Sequence, residues 1–397
     1  QRGKSYFAKG EIDKALADFN KTIGINPKYD LGYVGIGRVY SDKNDSEKAL
    51  RNYAKAIELN PRNVEAYEMR SVEYLNHNQT NLAVNDNLKI GEMIPEATIY
   101  ITRLSTRGAA PDFDQTITET TKIIEDTGIK DVKQRTEAYK NRAVAYTYKS
   151  KGDYPKAFAD ATKAIELAPQ DYDGYLVRAE AYFAQADAGK KGWIEANYKE
   201  AYTNSIADYT KAIELAPQFS LLRGALYKSR AMCHHELDDF NKALADYNKS
   251  ILLYPLAALY QSRAEVHQSK GDFDKAIADL TRALKFEENE KKYLARGKAF
   301  LKKGDFDKAL ADASKANEMK PVNPQAYVLR AEIWLKKGDF EKAIADATRA
   351  IKIESFYANA YKIRAEAYRK IGKIDLAETD EKDAVKFEKA YKEIQEN

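Results

Sequence analysis

A period constrains this chain more than any other feature of its sequence. Tyrosines fall at Tyr33, Tyr67, Tyr100, Tyr139, Tyr175, Tyr227, Tyr260, Tyr293, Tyr327 and Tyr361, and most intervals between them are 33 or 34 residues. The longest interval, 52 residues between Tyr175 and Tyr227, marks an insertion. Self-similarity at such a period means one supersecondary unit stacked many times. A chain of 397 residues would otherwise suggest two or three globular domains. The sustained period argues instead for one array over residues 1–397.

Within a unit, Tyr327, Arg330, Ala331 and Trp334 recur at i, i+3, i+4, i+7, which is one face of a helix. Gly338–Asp339 then supplies a turn, glycine taking backbone angles that other residues resist. Phe340, Ala343, Ala347 and Ala350 form one face of a second helix, whose small residues allow a close approach. Pro27, Pro61, Pro95, Pro169, Pro217, Pro255 and Pro321 close second helices, which they cannot continue.

This pattern resembles the tetratricopeptide repeat, a 34-residue helix–turn–helix unit. In that resemblance tyrosine takes the early aromatic position, and Gly3, Gly37 and Gly297, or an alanine, take the small position four residues later. Ala15, Ala49, Ala83, Ala157, Ala243, Ala276, Ala309, Ala343 and Ala377 take the small position opening the second helix. The implied fold is all-α, a right-handed α-α superhelix of about eleven repeats. Units begin near residues 1, 30, 64, 97, 136, 172, 224, 257, 290, 324 and 358. Residues 1–63 hold regular repeats one and two, 64–130 the degenerate repeats three and four, and 136–223 repeats five and six. The insertion in repeat six lies near 183–198, read as two lengthened helices with a turn near Lys190–Gly192. Residues 224–385 hold regular repeats seven to eleven, and 386–397 a polar capping helix.

The resemblance implies an apolar residue, often leucine, at a position where this chain writes arginine. Those arginines are Arg2, Arg70, Arg103, Arg142, Arg178, Arg230, Arg263, Arg296, Arg330 and Arg364. Each has an acid at the matching place in its own second helix: Asp18, Asp86, Glu119, Asp160, Asp208, Asp246, Asp279, Asp312, Asp346 and Asp380. The second repeat has Ile36 and Asn52 instead, losing both partners together. Repeats act as an internal alignment, so the joint loss predicts direct contact. Guanidinium–carboxylate geometry favours a fixed structural ion pair over a ladder reading ligand phosphates.

The implied architecture places first helices on the concave side, with residues roughly 100° from the packing stripe facing the groove. In repeats nine to eleven that stripe holds Lys291, Lys298, Lys302, Lys336, Lys362, Arg369 and Lys370 against Glu332 and Glu366. In repeats two and three it holds Arg38 against Asp42, Glu65 and Glu68. A basic C-terminal groove suits an acidic peptide or protein. Trp193, at the edge of the insertion, is a second candidate contact, or else packs on the next unit. The lysine–asparagine carboxylate clamp of chaperone-binding relatives is missing, since Lys140, Lys228 and Lys362 are followed by Val144, Met232 and Glu366.

These readings point to a non-catalytic protein-interaction scaffold. A small-ligand or lipid carrier is the alternative, but it needs an apolar inner stripe, and here Leu176, Phe183, Leu294, Leu301, Val328 and Leu335 alternate with charges. Nucleic acid is not expected as a partner, because a net charge of +4 with both signs interspersed is no electrostatic footprint. No run of about 18 apolar residues predicts a membrane span. His77, His234, His235 and His267 lack metal-ligand spacing, and no phosphate loop or catalytic cysteine pattern occurs, so no cofactor, metal or enzyme activity is expected. Cys233 is the only cysteine, which rules out an intrachain disulfide. With Gln1 leading, an export signal upstream stays open, so the compartment is cytoplasmic or periplasmic; the oligomeric state is open too.

Overall fold

A computed structural model describes residues 2–8, 10–77, 79–93, 112–126, 128, 131–149, 152–216 and 220–396, and among them every regular element is helical. Contacts divide the chain into two compact bodies, Gln1–Leu259 and Tyr260–Asn397. The first contains α1 (Arg2–Ala8), α2 (Ile12–Ile25), α3 (Asp30–Asp42), α4 (Ser46–Leu59), α5 (Val64–Asn76) and α6 (Thr80–Met93). It continues with α7 (Phe113–Glu125), α8 (Val132–Tyr148), α9 (Tyr154–Leu167), α10 (Tyr172–Lys190), α11 (Tyr198–Leu215), α12 (Ser220–Glu236) and α13 (Phe240–Leu253). The boundary falls in α14 (Ala257–Ser269). The second body holds α15 (Phe273–Phe286), α16 (Glu290–Lys303), α17 (Phe306–Met319), α18 (Pro324–Lys337), α19 (Phe340–Ile353), α20 (Ala358–Lys370) and α21 (Ile374–Glu396). The fold is an α-solenoid of helix–turn–helix repeats.

The turn between paired helices follows from its chemistry. Gly271, Gly304, Gly338 and Gly372 all take positive φ, where a side chain would be strained. An aspartate at the end of the turn caps the second helix in four repeats, where Asp45, Asp153, Asp239 and Asp339 accept backbone N–H bonds from Lys48, Lys156, Lys242 and Lys342, whereas Asp272 and Asp305 accept none there. The alanines then bury completely, Ala309, Ala313 and Ala316 in one cluster and Ala343, Ala347 and Ala350 in the next. The second repeat solves the same packing differently. Tyr53 is buried there, and a Cβ on Gly37 would come within 2.4 Å of its ring, so the large residue requires the small one opposite.

Three boundaries differ from the sequence reading. Repeats five and seven open earlier, at Val132 and Ser220, because their first helices carry an extra turn. Residues 386–397 form no separate cap: α21 runs unbroken from Ile374 to Glu396, no glycine or proline interrupting it. The first helix proposed for repeat four, with Tyr100, Arg103 and the Gly108–Pro111 turn, lies outside the described residues. The insertion lengthens both helices of its pair, α10 and α11, around a turn in which Gly192 has φ +75°.

A simple solenoid confines contacts to neighbouring repeats. The first body departs from that. Helix α5 packs on α12, far along the chain, and Val64, Tyr67 and Ile90 share a core cluster with Leu222, Leu226 and Tyr227.

Candidate partner-binding surfaces

The arginines shape every surface considered below. In nine repeats the arginine Nε donates to Oδ2 and its Nη2 to Oδ1 of the matching aspartate, at 2.5–2.9 Å. The pairs are Arg2–Asp18, Arg70–Asp86, Arg142–Asp160, Arg178–Asp208, Arg230–Asp246, Arg263–Asp279, Arg296–Asp312, Arg330–Asp346 and Arg364–Asp380. Glu119 accepts instead from Gln115, and its proposed partner Arg103 lies outside the described residues. Most pairs span 16 residues; Arg178–Asp208 spans 30, so the same geometry survives the insertion. In the second repeat Ile36 is buried and Asn52 donates to the Lys48 carbonyl.

Two further features of this ladder escaped the sequence reading. The remaining guanidinium nitrogen, Nη1, reaches the second helix of the preceding repeat, donating to Thr121, Thr162, Thr210, Thr281 and Thr348 from Arg142, Arg178, Arg230, Arg296 and Arg364. The recurrence of threonine two residues after the acid was the available signal. The guanidinium also sits between aromatic rings: Arg296 Cζ lies 5.6 Å from the Tyr293 centroid and 5.9 Å from that of Phe300. One side chain thus joins two helices of its own repeat to the repeat before it.

Lys140 was read only as an incomplete clamp. Its Nζ is buried between Glu137 at 2.6 Å, Asp171 at 2.8 Å and Asp173 at 3.0 Å. Burial works against its charged form, but Asp173, then Asp171 and Glu137, outweigh that and hold the amine above its ordinary value. It links α8 to the turn that opens α10.

In the second body α16 packs on α18 and α18 on α20, so the first helices form one row. Lys291, Lys298, Lys302, Lys336 and Lys370 are exposed on that row and form no ion pair among the described residues. Lys362 and Arg369 are paired, to Glu388 and Glu381 of α21. The apolar residues proposed to alternate along the stripe do not line it: Leu294, Leu301, Val328 and Leu335 are buried in core clusters, as is Leu176 in the first body. At that spacing they bridge successive first helices.

Trp193 is 64% exposed, with Lys191 Nζ 4.6 Å from its ring centroid. Cys233 is buried, its thiol pushed up to about 12 chiefly by burial, with Ser205 as its hydrogen-bond partner. No cluster of three or more metal-ligating side chains occurs among the described residues, and no helix there is long and apolar enough to cross a membrane.

His267 takes the aromatic position that Phe300, Trp334 and Tyr368 hold in later repeats. It is buried, its Nδ1 has no hydrogen-bond partner, and burial pushes its pKa below the ordinary value against the pull of Asp279. The unfolded chain therefore takes up this proton first, so stability present above about pH 6.5 falls as pH drops through the histidine range. Urea unfolding at pH 7 and pH 5 is expected to show a smaller acid loss for His267→Phe than for wild type. Equal losses contradict the assignment.

Two family models described as tetratricopeptide repeat match the chain, one over residues 294–358 and one over 1–29, 32–63, 143–171 and 257–290. Residues 64–142 and 172–256 are matched by neither. Curated proteins give no match. Among solved structures, yeast Tom70 is 18% identical over 99% of this chain and 95% of its own, with a TM-score of 0.40. MamA is 21% identical over 41% of this chain and 96% of its own, with a TM-score of 0.37. YrrB, described as a TPR protein with an unusual peptide-binding site, is 20% identical over 45% of this chain and 91% of its own, with a TM-score of 0.36. Matched repeats from residue 1 to residue 358 and paired helices among the described residues lead to one conclusion: the chain contains tetratricopeptide repeats.

Proposed function

We propose that this chain is a non-catalytic protein-interaction scaffold that takes an acidic peptide or protein segment across α16, α18 and α20. The observation that carries this reading is the set of exposed lysines on one row of packed helices, Lys291, Lys298, Lys302, Lys336 and Lys370, without internal partners among the described residues. Elsewhere lysines on this protein are commonly neutralised, as Lys342 is by Asp339 and Lys308 by Asp305. Unpaired like charges on a preformed surface raise the local potential and favour an anionic partner. The burial of Leu294, Leu301, Val328 and Leu335 leaves an apolar ligand little to hold there.

The test is the affinity of a labelled glutamate-rich decapeptide for the full chain. Reversing Lys298, Lys302 and Lys336 to glutamate together is expected to weaken binding about tenfold or more, on the order of 1.4 kcal/mol. Binding is also expected to weaken steeply with added salt. Reversing Lys315 and Lys352, on second helices of the same body, is expected to change little. Unchanged affinity after the triple reversal overturns the reading.

A further inference from the structure

The inner face of α3 and α5 is already occupied. The segment joining α13 to α14 lies against it, though it is remote in sequence. Arg38 Nη2 donates to the Leu252 carbonyl at 2.6 Å, meeting an acceptor in the last turn of α13 where a cation also suits the helix dipole. Asn76, buried at the end of α5, uses both ends of its amide. Its Nδ2 donates to the Pro255 carbonyl at 3.3 Å, and its Oδ1 accepts the Ala257 N–H at 3.1 Å. Tyr254 and Leu256 pack on the cluster of Val34, Tyr53, Ala56, Met69 and Val72.

This is the way one chain reads another's backbone: an amide pairs with main-chain groups of either identity, and pockets select the side chains. Proline contributes to the fit. It sits at the centre of a tight turn in which the Leu256 N–H donates to the Tyr254 carbonyl at 2.9 Å, and it brings no N–H needing a partner. The acids on this face are satisfied internally, Glu65 by Arg38 at 3.5 Å and Glu73 by Ser41 at 2.6 Å, so the surface suits an uncharged occupant. The seated segment is only half-buried at Tyr254, Pro255 and Leu256, which leaves it displaceable.

We propose that the inner face of α3 and α5 is a recognition surface for an uncharged aromatic–proline–aliphatic turn of a partner protein, held closed in this chain by its own residues 254–257. The cis segment competes at an effective concentration of about millimolar, so a partner binds well only once it is released. The surface lies in the first body and differs in chemistry from the basic row of the second, and neither proposal depends on the other.

The probe is a fluorescein-labelled peptide with the sequence of residues 250–259, titrated into the full chain. Wild type is expected to bind weakly. Leu256→Asp, which loosens the cis segment and leaves the surface intact, is expected to bind about tenfold more tightly or better. Adding Asn76→Ala to that variant is expected to abolish the gain. Equal affinity for all three overturns the proposal, as does a Leu256→Asp chain that binds no peptide and instead forms a dimer. Should Leu256→Asp fail to fold, hydrogen exchange on wild type answers the same question. Excess peptide is expected to raise exchange across residues 252–259, and no change refutes displacement.

Discussion

Arg296→Ala is expected to cost about 3–5 kcal/mol, the size of loss typical when one member of a buried ion pair is removed and the other left behind. Asp312 is 5% exposed, and no other cation reaches it among the described residues, so its charge would be stranded. The variant also loses the bond to Thr281 and the packing between Tyr293 and Phe300. The second repeat supplies the control. It holds Ile36 and Asn52 at the two positions, with the isoleucine buried and the asparagine bonded within its own helix. Arg296→Ile with Asp312→Asn is therefore expected to recover much of the loss. Long arrays do not unfold as one two-state unit. The comparison is best read by hydrogen exchange over α16 and α17 alongside thermal melts, and a double variant no better than the single one contradicts direct pairing.

Lys140→Met is expected to be comparably damaging, about 3–5 kcal/mol, by the same mechanism with the sign reversed. Methionine keeps most of the volume, so packing changes little. Three carboxylates then lose the amine they share, and Asp173 is 2% exposed. Lys140→Arg keeps the charge but not the shape, because a planar fork replaces a compact amine that meets three partners from different directions. It is expected to fall between methionine and wild type in urea unfolding. A methionine variant as stable as wild type contradicts the account of this cluster.

How legible these features were depended on whether they repeat. The helix pair, its Gly–Asp turn and the small residues of its packing face recur along the chain, so each copy reports on the others. The arginine and its acid were visible for the same reason, through the joint substitution at Ile36 and Asn52. The threonines that accept from Nη1 recur less regularly, and their partner lies in the next repeat, outside the unit being compared. Lys140, Asn76 and Arg38 occur once each. Asn76 and Arg38 meet residues 179 and 214 positions away, and no periodic pattern encodes such a separation. Surface chemistry was the least legible: Lys362 and Arg369 resemble Lys298 and Lys336 in sequence, yet both pair with α21, Lys362 with Glu388, which lies beyond the end at residue 385 that the sequence reading gave the last repeat.

The basic row is the central functional claim, and hydrogen exchange of the full chain with and without a saturating glutamate-rich peptide addresses it most directly. The account predicts slowed exchange in α16, α18 and α20, lost when Lys298, Lys302 and Lys336 are reversed together. Protection confined to other helices, or protection that survives the reversal, would contradict it.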